Sequence, residues 1–222
     1  MRVTGFPAGM FQTNCYVVSR DEGTDCIVVD PGQDAAAPLY SFLDDAGLTP
    51  IAVLLTHGHL DHMWDATPVC ARFDIPLYVH PDDRHMLTDP ASGIGPVLAP
   101  LIAHSTFEEP ATVVELAHGD VLDVAGLGVT VAHTPGHTRG SVVFRLDGGE
   151  QQVIFSGDTL FAGSIGRSDL PGGDHEQLLA SIAEHLLCLD DETAVLPGHG
   201  ESTTIGAERG SNPFLVGLGG VR

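Results

Sequence analysis

Six consecutive positions, His57-Gly58-His59-Leu60-Asp61-His62, carry three imidazoles and a carboxylate, directly after the apolar run Ile51-Ala52-Val53-Leu54-Leu55 and Thr56. Histidine and aspartate are poor strand formers and mostly surface residues, so crowding them at the end of a buried strand works against stability. Neutral imidazole and carboxylate are, however, the ligands that zinc and the neighbouring first-row metals take. A loop at a strand end is also where a rigid scaffold presents chemistry.

Three further segments share one grammar: a short apolar strand, a Gly-marked turn and one potential ligand at its tip. Val129-Thr130-Val131-Ala132 leads to Thr134-Pro135-Gly136-His137, Val153-Ile154-Phe155 to Ser156-Gly157-Asp158, and Ala194-Val195-Leu196 to Pro197-Gly198-His199. Glycine permits the close backbone approach that a crowded centre needs. The candidate ligands are then His57, His59, Asp61, His62, His137, Asp158 and His199. Such a set exceeds the four ligands of one tetrahedral ion but suits two ions that share a bridge. In the short turn, His57 and His59 can face one ion while Asp61 and His62 face its neighbour. Asp158, with two carboxylate oxygens, is the natural bridging ligand. A hydroxide between ions about 3.5–4 Å apart would complete the arrangement.

The pattern His-x-His-x-Asp-His, followed in order by single His, Asp and His ligands, resembles the metallo-β-lactamase superfamily. Within it the chain is most similar to the glyoxalase II group, the hydroxyacylglutathione hydrolases and their short relatives. Phe155-Ser156-Gly157-Asp158-Thr159-Leu160-Phe161 and Gly166-Arg167-Ser168-Asp169 carry that likeness, which runs from Asn14-Cys15-Tyr16 to Asn212-Pro213-Phe214. The resemblance implies an α/β fold, a four-layer αβ/βα sandwich with the metal site at one edge of two sheets. It implies His57, His59 and His137 on one metal, Asp61, His62 and His199 on the other, and Asp158 on both. It also implies two divalent ions, zinc first, with iron and manganese accepting the same donors, and hydrolysis of a thioester such as S-D-lactoylglutathione. Asp61 is the candidate catalytic residue, holding one metal and orienting the hydroxide. One departure is expected. Glyoxalase II enzymes carry a C-terminal helical domain that grips glutathione, whereas a short Gly-rich tail follows His199, so residues 1–222 read as one domain without it.

Chemistry and resemblance leave rivals. A persulfide dioxygenase of the same superfamily would hold a single iron with two histidines and a carboxylate from this set. A lactonase or lactamase would open a ring, although Asp158 stands where secreted lactamases have a cysteine ligand. From another class, a non-catalytic metal-binding or redox partner protein would not need all seven ligands, since a structural site closes with four.

The charge balance narrows the partners. Nine arginines, no lysine and thirty acids give a formal charge of −21. Such a surface repels nucleic acid, whose binding depends on cations facing phosphates, and without lysine there is no Schiff-base chemistry. The expected partner is a small-molecule thioester, with no nucleic acid and no membrane, and the protein is expected to be a monomer or small homo-oligomer. Cys15, Cys26, Cys70 and Cys188 lack Cys-x-x-Cys spacing, and no apolar segment opens the chain. Both fit reduced cysteines in a cytoplasmic protein.

The elements that must position these residues follow from periodicity. Residues 15–18 and 26–29 read as paired strands ending at the turn Asp30-Pro31-Gly32. Residues 34–46 read as a helix with Leu39, Phe42 and Leu43 on one face and Gly47 as its stop. The strand 51–55 feeds the ligand cluster, with a helix over 65–73 and a strand over 77–79 after it. Residues 88–110, punctuated by Pro and Gly, read as a long loop and a candidate cover for substrate. Strands dominate 113–155, and Asp174 caps a helix over 175–187 whose buried stripe is Leu178, Leu179, Ile182 and Leu186. Arg167 and Asp169 are expected to pair, Asn14 to bond at a turn or edge, Arg139 to lie on the surface and His133 to be structural. His80, His85, His104, His118, His175 and His185 have no ligand-like context.

Overall fold

The computed structural model describes residues 1–102, 105–147 and 152–217. Positions 103–104 of the anticipated cover, with His104, lie outside the described residues, as do 148–151 within the second strand-rich half and 218–222 at the tail.

The first half supplies β1 (Arg2–Ala8), β2 (Thr13–Ser19), β3 (Asp25–Val29), β4 (Thr49–Leu54), β5 (Leu77–Val79) and β6 (Val113–Glu115), adjacent in that order in one sheet. The first three run antiparallel, with Tyr16 opposite Val29, and β3 through β6 run parallel. Parallel neighbours need crossovers. These are α1 (Ala36–Ala46), then α2 (Leu60–Met63) with α3 (Ala66–Phe73), then α4 (Pro81–Arg84) with α5 (Ala91–Leu98). The second half supplies β7 (Val121–Val124), β8 (Leu127–His133), β9 (Val142–Asp147), β10 (Gln152–Gly157), the small hairpin β11 (Leu160–Phe161) and β12 (Ser164–Ile165), α6 (His175–Ser181), β13 (Ala194–Pro197), β14 (Thr203–Thr204) and α7 (Ile205–Ser211). Its sheet has the order β14-β13-β10-β9-β8-β7.

Side-chain alternation along the strands builds the layers. Tyr16, Val18, Ile27, Val29, Ala52 and Leu54 face Val129, Val131, Phe144 and Phe155 of the other sheet. Their alternate neighbours Cys15, Val17, Cys26, Val28 and Val53 turn outward onto Leu39 and Leu43 of α1 and Val69 of α3. On the far side Val143, Ile154 and Val195 pack under Leu178 of α6, Ile182 and Leu186 just beyond it, and Ile205 of α7. Helix, sheet, sheet, helix is the four-layer sandwich anticipated. Cys15, Cys26 and Cys70 are buried in it as free thiols, and Cys188 is exposed. No helix among the described residues is long and apolar enough to cross a membrane.

Two segments differ from the sequence-based expectation. The helix expected over 175–187 is α-helical only to Ser181 and continues as a π-turn over Ile182–Leu186. Residues 88–110 are not one long loop, because α5 and a 3-10 turn over Ala99–Ile102 occupy their middle. Gly95 sits inside α5 with a non-helical φ of 69°, next to Pro96, and this kink is what erases the helical periodicity. Ile94 on this helix nevertheless faces the ligand cluster from above.

Phe144 is fully buried at the centre of the inter-sheet layer. Phe144→Ala is expected to lower stability by about 3–5 kcal/mol, read as a shift in the urea midpoint; a loss under about 1 kcal/mol would mean this layer does not hold the sheets together.

Candidate metal centre

All seven candidate ligands sit where strands of the two sheets end on the same edge. His57 follows β4, His59 caps α2, and Asp61 and His62 lie in its single turn. His137 lies in the turn from β8 to β9, Asp158 follows β10 and His199 follows β13. The ligand atoms gather in overlapping groups: His57, His59 and His137; His57, His62 and Asp158; and Asp61, His62 and His199.

Outward hydrogen bonds decide which ring nitrogens face inward. His62 Nδ1 lies 2.9 Å from Asp30 Oδ2, His137 Nδ1 2.7 Å from the Arg167 carbonyl and His199 Nδ1 3.1 Å from the Phe11 carbonyl. Those partners only accept, so each Nδ1 carries a proton and each Nε2 is turned to the centre, where a metal ion would take its lone pair. His57 follows the same rule at one remove. The Thr56 hydroxyl donates to Asp30 Oδ2 at 2.6 Å, so its oxygen is left to accept from His57 Nδ1 at 3.1 Å.

The inward atoms crowd closely together. His137 Nε2 lies 2.9 Å from His59 Nδ1, and His199 Nε2 lies 3.1 Å from Asp61 Oδ2 and 3.5 Å from Asp158 Oδ2. His62 Nε2 lies 3.3 Å from Asp158 Oδ1 and 3.6 Å from Asp61 Oδ2. The buried side-chain nitrogens and oxygens that lack a hydrogen-bond partner among the described residues are His57 Nε2, His59 Nε2, His62 Nε2 and Asp158 Oδ1, all in this cluster. Such spacings suit donors around ions with bonds of about 2.0–2.2 Å, whose tetrahedral edges are roughly 3.3–3.5 Å. Asp158 spans the two groups, with Oδ1 toward His62 and Oδ2 toward His137 and His199. The residues fit a pair of metal ions.

Electrostatics agree. Burial, reinforced by His62 and His137, drives the His57 imidazole well below its ordinary pKa, and burial with His137 takes His59 down to about 3. Both are thus neutral, which is the ligating form. Burial opposes charge on His62 as well, yet Asp61, Asp158 and Asp30 around it raise it well above the usual value. Burial works against the Asp61 and Asp158 carboxylates too, but His62 beside both holds them below the ordinary range. The cluster has an excess of negative charge and lone pairs, which cations offset.

Supporting residues emerge that sequence reasoning passed over. Asp30, expected only as a turn residue, accepts from the Thr56 amide and hydroxyl and from His62. Thr13 donates to Asp61 Oδ2 at 3.0 Å. Asn14, expected as an edge hydrogen-bonder, donates to the Pro197 and Gly200 carbonyls on either side of His199. His133 donates to the Arg139 carbonyl in the His137 turn and stacks on His80 at 4.0 Å, and with Asp82 these two histidines form a further group of potential ligand atoms apart from the cluster. Arg167 and Asp169 pair as expected. The cluster floors a cavity of about 420 Å³ whose apolar walls are Phe11, Leu60, Ile94, Phe161, Ile165 and Leu170, with Arg167 the cation among its lining residues.

A family model described as the metallo-beta-lactamase superfamily matches residues 8–199. An uncharacterized protein of Mycobacterium tuberculosis is 57% identical over 98% of this chain and 99% of its own. A probable metallo-hydrolase of Bacillus subtilis, YqgX, is 37% identical over 98% and 99%, and the hydroxyacylglutathione hydrolase GloC of Haemophilus influenzae is 35% identical over 97% and 98%. Among solved structures, the B3 metallo-beta-lactamase BLEG-1 superposes with a TM-score of 0.83 at 41% identity, covering 97% of this chain and 100% of its own. TTHA1623, solved in a di-iron-bound form, superposes with a TM-score of 0.81 at 39% identity, covering 96% and 100%.

Gly198 tests the packing around this cluster. A Cβ there would run into Asp158 Oδ1 and come within 2.6 Å of the His62 ring. Gly198→Ala is expected to weaken metal binding on the order of 10–100-fold, measured by elemental analysis after dialysis against a competing chelator. Undiminished metal content would show that the close approach is not required.

Proposed function

The chain belongs to the metallo-beta-lactamase superfamily and is a metallo-hydrolase, a premise from which we propose that the bond it cleaves is a thioester, of the 2-hydroxyacyl kind in S-D-lactoylglutathione. The observation that carries this reading is the seven-residue donor set shared through Asp158 and opening into an apolar cavity. A relative named hydroxyacylglutathione hydrolase, matched over 98% of its length, supports it.

His57, His59 and His137 would hold one ion and Asp61, His62 and His199 the other, with Asp158 touching both. When bound, zinc ions, or iron or manganese on the same donors, supply a water deprotonated near neutral pH and a Lewis acid for the developing oxyanion. The chain's own residues do the rest. The Thr13 hydroxyl fixes Asp61 Oδ2 at the cavity floor, where Asp61 orients the attacking water. The apolar walls exclude bulk solvent and leave the acyl carbonyl one polar surface to meet, the ligand cluster. Among the described residues, no acid beyond Asp61 and Asp158 lines this cavity. A thiolate suits that wall because a thiol, with a pKa of roughly 8.5, leaves without a general acid. The expected partner is accordingly a small neutral or weakly charged thioester, handled by a monomer or small homo-oligomer.

A second reading is favoured by one comparison, the 41% identity to a B3 metallo-beta-lactamase. Metal analysis run beside assays with S-D-lactoylglutathione and a chromogenic cephalosporin separates the two. Two ions per chain with thioesterase activity is the expected outcome. Cephalosporin turnover alone would favour the lactam, and one iron with oxygen uptake on a glutathione persulfide would point to a dioxygenase. Asp158→Ala is expected to abolish thioester cleavage and strip most of the metal, because both groups lose a donor. Full activity in that variant would refute the bridged centre.

A further inference from the structure

Asp83 lies in α4, away from every ligand in sequence, and its side chain is fully buried. It has no cationic partner among the described residues. Its carboxylate instead accepts three hydrogen bonds: from the Gly58 amide at 2.9 Å and the Thr138 hydroxyl at 2.6 Å on Oδ2, and from the Gly140 amide at 2.8 Å on Oδ1. Gly58 stands between His57 and His59, and Thr138 follows His137. One carboxylate therefore ties the loop from the first sheet that carries two of the three clustered histidines to the loop from the second sheet that carries the third.

The chemistry of this contact is specific. The two amides and the hydroxyl take up both oxygens of the side chain, which an amide in the same place could not match, since one of its two positions carries only donors. A buried polar side chain is retained where fixed donors satisfy it. These donors are aimed by the two ligand loops themselves. The Asp61, His62 and His199 group is held by other means: Thr13 on Asp61, Asp30 on His62 and the Phe11 carbonyl on His199.

From this division we propose that Asp83 is a positioning residue for the His57–His59–His137 position alone, setting the affinity of one of two metal positions. The proposal rests on the metal centre described above and not on the identity of the substrate. Asp83→Asn presents an amide N–H to at least one of the three donors and pushes the two loops apart. The expected result, titrating metal-free protein with zinc or cobalt, is one tight ion per chain, with the other weakened on the order of 10–100-fold. Cobalt would show this as loss of one of two absorption signatures. Wild-type affinity for both ions, or equal weakening of both in a folded variant, would overturn the proposal.

Thr138→Val removes one donor while leaving the carboxylate in place. It is expected to weaken the same position by a smaller factor, with Thr138→Ser restoring it, and it decides the matter if Asp83→Asn does not fold. Thr138→Val with both ions bound as in the wild type would equally overturn the proposal. A wild-type protein that binds two ions but cleaves no thioester would sink the functional reading while leaving this titration intact.

Discussion

Side-chain atoms of His57, His59, His62 and Asp158 lie buried without a hydrogen-bond partner among the described residues, and the surrounding fold is arranged to keep them there. Left unsatisfied, a buried polar atom costs about 1–3 kcal/mol. Four of them amount to a large share of the roughly 5–15 kcal/mol by which a domain is stable. Outward bonds make this worse, because Asp30 pins the Nδ1 proton of His62 on the far side of its ring and, through Thr56, that of His57. The cluster cannot relax by turning over its imidazoles. Its natural relief is a cation, so metal binding and stability of this edge are one free energy.

Holding such a cluster needs more rigidity than loops have. The two apolar layers outside the sheets and the one between them fix the ends of β4, β8, β10 and β13, and every ligand follows one of those ends, Asp61 and His62 by way of the short helix α2. Short braces then carry strand precision to the side chains. Asp30 reaches His62 directly and His57 through Thr56, Asn14 grips the turn around His199, and Asp83 joins the two loops that no strand pairing connects. Each brace crosses between segments far apart in the chain, which makes the centre a product of the whole sandwich.

That crossing also explains what could be read in advance. The ligands were legible because their types are unfavourable where they stand, at the ends of apolar strands. The strands and α1 were legible from alternation and a 3.6-residue stripe. The N-cap Asp174 could be placed because capping is local, and it accepts from the Gln177 amide as capping requires. Asp83 could not be placed, since Pro81-Asp82-Asp83-Arg84 reads as a solvated turn and only the fold turns one of its acids inward. Asp30 was hidden the same way behind a Pro-Gly turn. Helix α5 was missed because Gly93, Gly95 and Pro96 are poor helix formers, and its place over His59 comes from tertiary packing, with a side chain at Gly93 barred by Met86 and the His59 ring.

The division between braces and walls bears on specificity. Relatives whose names specify a lactamase and a hydroxyacylglutathione hydrolase both match nearly all of this chain. A donor set of histidines and aspartates activates water for any electrophilic carbonyl, so it does not choose among lactam, lactone and thioester. Selection must fall to groups that touch the rest of the substrate. The apolar side chains lining the cavity over the centre include Phe11 in the β1–β2 loop, Ile94 on α5, and Phe161 and Ile165 on the β11–β12 hairpin. The hairpin is itself fixed from outside the site, for Glu208 of α7 accepts from the Gly163 amide and the Thr203 hydroxyl. Apolar walls discriminate by shape, and one methylene in such a wall is worth only about 1–3 kcal/mol. The donor set is thus held by buried polar geometry that tolerates little change, while the cavity above it is walled by a few apolar side chains.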